Sequence, residues 1–177
     1  EEGASTLNNP FEVSSLPGDS SPKVINFGQT FTTNPVMIAN TQTAYSSEPV
    51  ELRIPNLNSS NASFYLQEDQ SADTETTHSI EGVGYVAFNN IGNLELPSGE
   101  IFGETGKTSF PGDIWKEIPL SHGYKNPIVI ATITSENDDK PVAVRIKDVT
   151  PSSFYMKMDG WDYQTNTHGT EEISYVV

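Results

Sequence analysis

Residues 34–39 read Asn-Pro-Val-Met-Ile-Ala, and residues 126–131 read Asn-Pro-Ile-Val-Ile-Ala. In each segment an Asn-Pro pair, which favours a turn, leads into a continuous apolar run. Such a run is typical of a strand that is buried on both faces. The two segments lie 92 residues apart (126 − 34 = 92). The chain therefore contains an internal repeat, which predicts two copies of one structural unit.

The similarity extends through most of both copies. Further matching segments are 49–54 with 141–146, 63–65 with 153–155 (Ser-Phe-Tyr in both), 77–78 with 167–168 (Thr-His in both) and 85–86 with 175–176 (Tyr-Val in both). The offset falls to 90 near the end (168 − 78 = 90), so only short loop changes separate the copies. Residues 1–3 (Glu-Glu-Gly) resemble the stretch that would follow an earlier copy. We therefore expect the chain to come from a longer tandem array.

The spacing of apolar residues predicts strands. Apolar and polar side chains alternate with a period of two through residues 50–54 and 142–147, as in strands with one buried face. Clusters of Ser, Asn, Asp and Pro separate such runs, and no stretch has the apolar spacing of a helix. The sequence predicts an all-β chain of two tandem antiparallel β-sandwich repeats. We assign residues 1–22 to a leading segment from a preceding repeat or linker, 23–105 to the first sandwich and 106–177 to the second.

The composition narrows the function classes. Among 177 residues, 24 are acidic and 9 are basic, which gives a formal net charge of −15. This charge repels nucleic acids and anionic membranes. It also argues against sulfated or uronic-acid polysaccharides as ligands and favours neutral ligands or cations. No cysteine is present, which excludes disulfides and thiolate metal sites. The apolar runs are too short to cross a membrane as helices, so no membrane insertion is expected.

In both copies the motifs follow one order. An Asn-Pro apolar strand is followed by a strand with a central arginine, then by Ser-Phe-Tyr, a polar loop and a closing aromatic strand. This order resembles the H-type lectin domain, as in snail agglutinins and the C-terminal part of discoidins. The resemblance covers residues 23–88 and 115–177. It implies a six-stranded antiparallel sandwich that binds galactose-type sugars through loops at one end.

The resemblance also implies which residues would contact a sugar. The family's contacts come from an acidic loop after the apolar strand, from the arginine strand and from a tryptophan loop before the last strand. In the second copy the matching residues are Asp138, Arg145, Trp161 and Tyr163. The first copy keeps the arginine but has a serine and an aspartate at the two aromatic positions. We therefore expect the ligand site on the second copy.

The loop at residues 158–166 supports the same interpretation without the resemblance. Trp161 and Tyr163 offer aromatic faces for the C–H surface of a sugar, and Asp162 between them offers a carboxylate for its hydroxyls. Two alternatives stay open. Trp161 could pack beneath the loop as a core residue. Arg145, whose position is repeated in the first copy, could form a structural ion pair with a neighbouring acid.

Metal binding is a further hypothesis. Two histidines, His78 and His168, each precede a glutamate by three residues, and imidazole with carboxylate suits zinc. Each pair supplies only two ligands, so a His–Glu hydrogen bond at the start of the closing strand is the expected role. The acidic segments 68–73 and 136–139 could hold calcium, and a solvated acidic loop is the alternative. We predict no cofactor, with calcium as the alternative.

These features favour a noncatalytic function. The sequence has no glycine-rich phosphate loop, no nucleophile elbow and no zinc-protease motif. The expected function is a carbohydrate-binding module of a large extracellular bacterial protein, with a neutral galactose-type glycan or polysaccharide as ligand. Repeated weak sites would raise its avidity. The other expected partners are neighbouring repeats or a catalytic domain of the same parent chain. The alternatives are a structural spacer of a cell-surface adhesin, and a domain of an enzyme such as a polysaccharide lyase.

Overall fold

A computed structural model describes residues 10–71, 74–164 and 168–177. All regular elements among these residues are β-strands, so the predicted all-β class is confirmed. Within the described ranges, no helix is long and apolar enough to cross a membrane. The strands are β1 (Phe11–Gly18), β2 (Lys23–Asn26), β3 (Val36–Thr41), β4 (Val50–Leu57), β5 (Asn61–Glu68), β6 (Glu81–Phe88), β7 (Gly92–Glu95), β8 (Ile101–Pro111), β9 (Lys116–Pro119), β10 (Ile130–Ile133), β11 (Val142–Lys147), β12 (Ser153–Gly160) and β13 (Thr170–Val176).

Both repeats have the same strand order. In the first repeat, β1-β6-β3 and β2-β5-β4 form two three-stranded antiparallel sheets. In the second repeat, β8-β13-β10 and β9-β12-β11 form the corresponding sheets, and β7 adds one strand beside β8. Each repeat is therefore a two-layered unit with six equivalent strands. This arrangement confirms the predicted pair of antiparallel sandwiches.

Each sandwich has its own apolar core between its two sheets. The central strands show why, because every second side chain of β5 and β12 points inward. The buried alternate residues are Ala62, Phe64 and Leu66 in β5, and Phe154, Met156 and Met158 in β12. Burial of each larger side chain contributes roughly 1.5–3 kcal/mol. A slip of one residue would expose the whole set, so the alternation also fixes the strand register.

The structure corrects the predicted boundaries of the repeats. Strand β1 lies within the predicted leading segment 1–22, yet it pairs with β6 along its whole length and belongs to the first sandwich. Strand β8 begins at Ile101, before the predicted start of the second repeat at residue 106, and pairs with β13. Much of β1 is exposed, because it is an edge strand. Its apolar pattern is therefore too weak to mark a strand.

One predicted correspondence between the repeats is displaced by two residues. The sequence aligns Phe64 with Phe154. In the structure, Ile25 is the buried residue of β2 and lies opposite Ala62. Its counterpart Ile118, the buried residue of β9, lies opposite Phe154. Ala62 therefore corresponds to Phe154. A shift of two leaves the same face inward, so the predicted core is unaffected.

The two sandwiches pack edge to face. Strand β3, at the edge of the first repeat, crosses β10, β13 and β8 of the second. The hydroxyl of Thr132 in β10 accepts a hydrogen bond from the N–H of Ala39 at 3.1 Å and donates to its carbonyl at 3.2 Å. These bonds satisfy main-chain groups of an edge strand that would otherwise need another partner. An apolar cluster that includes Phe88 and Leu94 extends the contact.

Arg53 of β4 fixes the loop between β10 and β11 onto the first repeat. Its side chain is only 2% exposed. The guanidinium donates to the main-chain carbonyls of Asp138 at 2.8 Å and Lys140 at 2.6 Å. It also donates to the side chain of Gln67 at 2.8 Å and lies 3.8 Å from the carboxylate of Glu136. One buried cation of the first repeat therefore binds two main-chain carbonyls of the second through charge-assisted hydrogen bonds.

Glu51 lies two positions before Arg53 in β4 and makes the stability of the junction pH-dependent. Burial raises the pKa of Glu51 to about 7, against the opposing effect of Arg53 and Arg145. The ordinary pKa of 4.5 applies in the unfolded chain. Between these two pH values the folded protein binds more protons than the unfolded chain does. Stability from Glu51 is therefore fully present below pH 4.5 and is lost as the pH rises through 7.

The substitution Glu51→Gln should remove this loss. We expect the variant to exceed the native protein in free energy of unfolding by about 1–3 kcal/mol at about pH 8, and to match it near pH 4. Denaturant unfolding of both proteins at several pH values measures the difference. A difference that stays constant with pH would show that the pKa of Glu51 is the same in the folded protein and in the unfolded chain.

Candidate functional site

The loop after β12 places two aromatic side chains side by side. The ring centroids of Trp161 and Tyr163 are 6.2 Å apart, and the ring planes are inclined by 54°. The main-chain N–H of Gln164 donates to the carbonyl of Trp161 at 2.9 Å, which closes a tight turn around Asp162. The side chain of Gln164 donates to the carbonyl of Pro141 at 2.9 Å. The turn is therefore tied to the start of β11. We call Trp161, Asp162 and Tyr163 the aromatic shelf.

The aromatic shelf lies where the two repeats meet. The hydroxyl of Tyr163 accepts a hydrogen bond of 3.4 Å from the main-chain N–H of Gln70 in the first repeat. Tyr163 is 40% exposed, Trp161 is half-buried and Asp162 is exposed. Trp161 lies outside both buried cores, which argues against the alternative that it packs as a core residue. The shelf therefore combines exposed aromatic surface with a carboxylate.

Asp138 has a structural role and is not part of the aromatic shelf. Its carboxylate accepts hydrogen bonds from the main-chain N–H groups of Lys140 at 3.2 Å and Gly169 at 2.9 Å. Burial acts to raise the pKa of this carboxyl, but the two hydrogen bonds outweigh burial and lower the pKa below its usual range. Asp138 also offers its main-chain carbonyl to Arg53. We therefore remove it from the candidate sugar site.

Arg145 lies on the outer face of β11, and its side chain is 64% exposed. Its Nε donates to the carboxylate of Asp159 at 3.3 Å, as the ion-pair alternative expected. Arg145 lies opposite Lys157 in the register, as Arg53 lies opposite Tyr65. Tyr65 lies three residues after Ala62, and Lys157 lies three residues after its equivalent Phe154. The two arginines therefore hold equivalent positions, as predicted. Their surroundings differ, because only Arg53 is covered by the other repeat.

Nothing in the local sequence marks Trp115, yet it is 36% exposed beside β9. The ammonium of Lys147 lies 4.5 Å from its ring centroid, and that of Lys157 lies 5.5 Å away. Each such contact contributes about 0.5–1 kcal/mol at an exposed position. With Arg145, these lysines lie on the outside of the β9-β11-β12 sheet, where Asp148 and Asp159 pair with them. Because two lysines already occupy the ring of Trp115, Trp161 is the better platform for a neutral ligand.

The two histidine–glutamate pairs do not behave as predicted. His168 lies 2.8 Å from the carbonyl of Lys140 through Nε2, so the prediction of a bond to Glu171 is wrong. In the first repeat, Nε2 of His78 lies 3.5 Å from Glu81, which is longer than a normal hydrogen bond. The reason is that both glutamates already accept bonds from the loops after β3 and β10.

A group of carboxylates lies at the end of β5. Glu48, Glu68 and Glu75 each bring one oxygen within 4.8 Å of the others. Burial raises the pKa of Glu68, and a contact of 3.3 Å from His78 opposes this effect. Of the acidic segment 68–73, the last two residues lie outside the described residues. Calcium binding in the first repeat stays a prediction. The second acidic segment instead folds against Arg53.

Comparisons with known proteins do not identify the chain. No protein-family model matches it, and no curated protein or solved structure is significantly similar to it. The resemblance to H-type lectins therefore stays a hypothesis that depends on the motifs quoted above. What the aromatic shelf does must be inferred from its own geometry.

Proposed function

We propose that the chain is a noncatalytic, extracellular carbohydrate-binding module that holds a neutral galactose-type sugar on the aromatic shelf. The observation that carries the proposal is the pairing of Trp161 and Tyr163 at the surface, with Asp162 in the turn between them. Aromatic faces pack against the C–H surface of a pyranose, and a carboxylate accepts hydrogen bonds from its hydroxyls. Gln70 of the first repeat lies at the edge of the same surface.

Two further observations support the proposal. Each repeat contains six equivalent strands in two sheets, which is the architecture that the H-type lectin resemblance implies. The net charge of −15 disfavours acidic sugars, so a neutral ligand suits the molecule. A single small site of this kind binds weakly, with a Kd on the order of 0.1–1 mM. Linked copies would then be needed for tight binding to a polysaccharide.

The substitution Trp161→Ala tests the proposal. We expect it to abolish measurable binding of galactose and of neutral galactosides, because the stacking surface is lost, and to leave the Tm nearly unchanged. Calorimetric titration measures the first effect and thermal unfolding the second. Trp115→Ala is the matched control, since it removes the chain's other tryptophan. Binding that survives Trp161→Ala in a folded protein would exclude the shelf as the site.

A structural spacer is the second candidate function, and the repeat junction favours it. The burial of Arg53 and the edge-to-face contact of β3 set the angle between the repeats. A stalk built from such units would keep its shape under load without binding a ligand. Failure of every neutral galactoside to bind the native chain, with the junction intact in solution, would favour this function.

A further inference from the structure

The junction between the repeats has two unlike sides. The edge side, on the first repeat, consists of strand β3 and Arg53. The face side, on the second repeat, consists of the outer surface of β8-β13-β10, with Thr132, and the β10–β11 loop. Because the strand orders are the same, each repeat carries both sides. The second repeat has its own edge side at β10 and Arg145, and the first has its own face side at β1-β6-β3 and the β3–β4 loop.

The loop on the first repeat is built like the loop that binds Arg53. In each repeat the first glutamate of the closing strand binds one hydroxyl and two main-chain N–H groups of the loop. Glu81 binds Thr43, Tyr45 and Ser46, and Glu171 binds Ser135, Asn137 and Asp138. These residues correspond at the offset of 92 (135 − 43 = 92). The carbonyls of Ser46 and Glu48 therefore correspond to the two carbonyls that accept from Arg53.

The counterpart of Arg53 on the second repeat and the counterpart of the docking face on the first repeat are both open to solvent. The side chain of Arg145 is 64% exposed, against 2% for Arg53. On the outer face of β1-β6-β3 a groove of about 950 Å³ passes Val13, Asn40 and Gly84. Asn40 stands where the second repeat has Thr132, the residue that bonds to the docked edge strand. The face that holds a strand in the second repeat is therefore also present in the first, where no strand from residues 10–71, 74–164 or 168–177 covers it.

The charged residues that would meet across the two open sides, Arg145 and Glu48, are opposite in sign. Arg145 is the cation of the open edge side, with its side chain 64% exposed and paired to Asp159 at 3.3 Å. The open loop of the first repeat carries Glu48, whose carboxylate lies within 4.8 Å of those of Glu68 and Glu75. Opposite charges favour the encounter and fix its orientation. Two copies would therefore present complementary surfaces in the same arrangement that the intrachain junction already uses.

We propose that a second copy of this chain docks head to tail, with its open face side on the open edge side of the first copy. In this arrangement Arg145 donates to the carbonyls of Ser46 and Glu48 of the second copy, as Arg53 donates to Asp138 and Lys140 within the chain. Strand β10 enters the groove of the second copy. Such a contact joins unlike surfaces, so it builds a ring if the rotation between copies closes and a filament if it does not.

Sedimentation velocity tests the proposal over protein concentrations up to about 1 mM, the effective concentration that a short linker gives to neighbouring domains. We expect the average mass to rise with concentration and the rise to weaken in salt. Arg145→Glu should weaken self-association by at least about tenfold, because a carboxylate cannot donate to the two carbonyls, and Glu48→Lys should weaken it by about threefold, because its ammonium repels Arg145. Lys125→Glu, an exposed charge reversal elsewhere on the second repeat, is the matched control. Circular dichroism verifies that each variant is folded.

Three outcomes would overturn the proposal. The native chain could stay monomeric throughout this range. Arg145→Glu could leave its association unchanged or change it no more than Lys125→Glu does. Glu48→Lys could leave both the association and its salt dependence unchanged although the variant is folded. Because sugar binding is not involved, the result is independent of the proposed function.

Discussion

Arg53→Ala is expected to lower the free energy of unfolding by about 3–5 kcal/mol, as is typical when one member of a buried charged network is removed. The guanidinium is the shared donor for the carbonyls of Asp138 and Lys140 and lies beside the carboxylate of Glu136. Without it these acceptors stay at the junction with no donor, and each such group costs about 1–3 kcal/mol. Denaturant unfolding monitored by fluorescence measures the loss.

Arg145→Ala is the matched control, because the same residue type occupies the equivalent strand position in the second repeat. Arg145 is mostly exposed and has one ion pair, with Asp159. We expect its removal to change stability by no more than about 0.5 kcal/mol. Equal effects of the two substitutions would contradict the junction described for Arg53. We also expect Arg53→Ala to broaden the unfolding transition, since the two repeats become less strongly coupled.

Glu171→Ala is the second substitution with a large expected effect, about 3 kcal/mol or more. The carboxylate is fully buried and accepts the hydroxyl of Ser135 and the main-chain N–H groups of Asn137 and Asp138, the latter two at 2.8 and 2.9 Å. Its loss leaves these donors without an acceptor and releases the β10–β11 loop. Because Asp138 also accepts from Arg53, the junction should weaken at the same time.

Glu81→Ala separates the effect of releasing a loop from the effect of weakening the junction between the repeats. Glu81 holds the β3–β4 loop in the same way, but this loop is not the one that binds Arg53. We expect Glu81→Ala to destabilise its own sandwich and to combine additively with Arg53→Ala. Glu171→Ala should combine with Arg53→Ala less than additively, because both substitutions break one network. Unfolding of the two double variants measures this. Additivity in both cases would show that the loop and Arg53 act independently.

Local sequence was sufficient to predict the strands with strong alternation. Val50, Leu52 and Ile54 alternate with polar residues, and a period of two places them on one face whatever their surroundings. Edge strands lack this information, so β1 was assigned to a leading segment. The equivalent strand positions of Arg53 and Arg145 show a further limit. Only the loop supplied by the other repeat makes one arginine buried and the other exposed, and no local pattern contains that contact.

The parts of the candidate site that are close in sequence were predictable, and those that depend on distant residues were not. Trp161 and Tyr163 are close in sequence, and one turn is enough to bring them together. The structural role of Asp138 is not visible in its own segment, because its carboxylate accepts from Gly169, a residue 31 positions away. Trp115 was missed, because its exposed setting depends on lysines of two other strands. Residues whose role depends on distant partners could not be assigned from the local pattern.

The indole N–H signals of an ¹⁵N-labelled sample test the proposed sugar site most directly. The chain contains two tryptophans, Trp115 and Trp161, so two signals are expected, and a phenylalanine variant of each assigns them. Galactose is titrated to about 50 mM, well above the expected Kd on the order of 0.1–1 mM. The proposal predicts that the signal of Trp161 shifts and saturates while that of Trp115 stays in place. A titration in which neither signal moves, or in which only Trp115 responds, would contradict it.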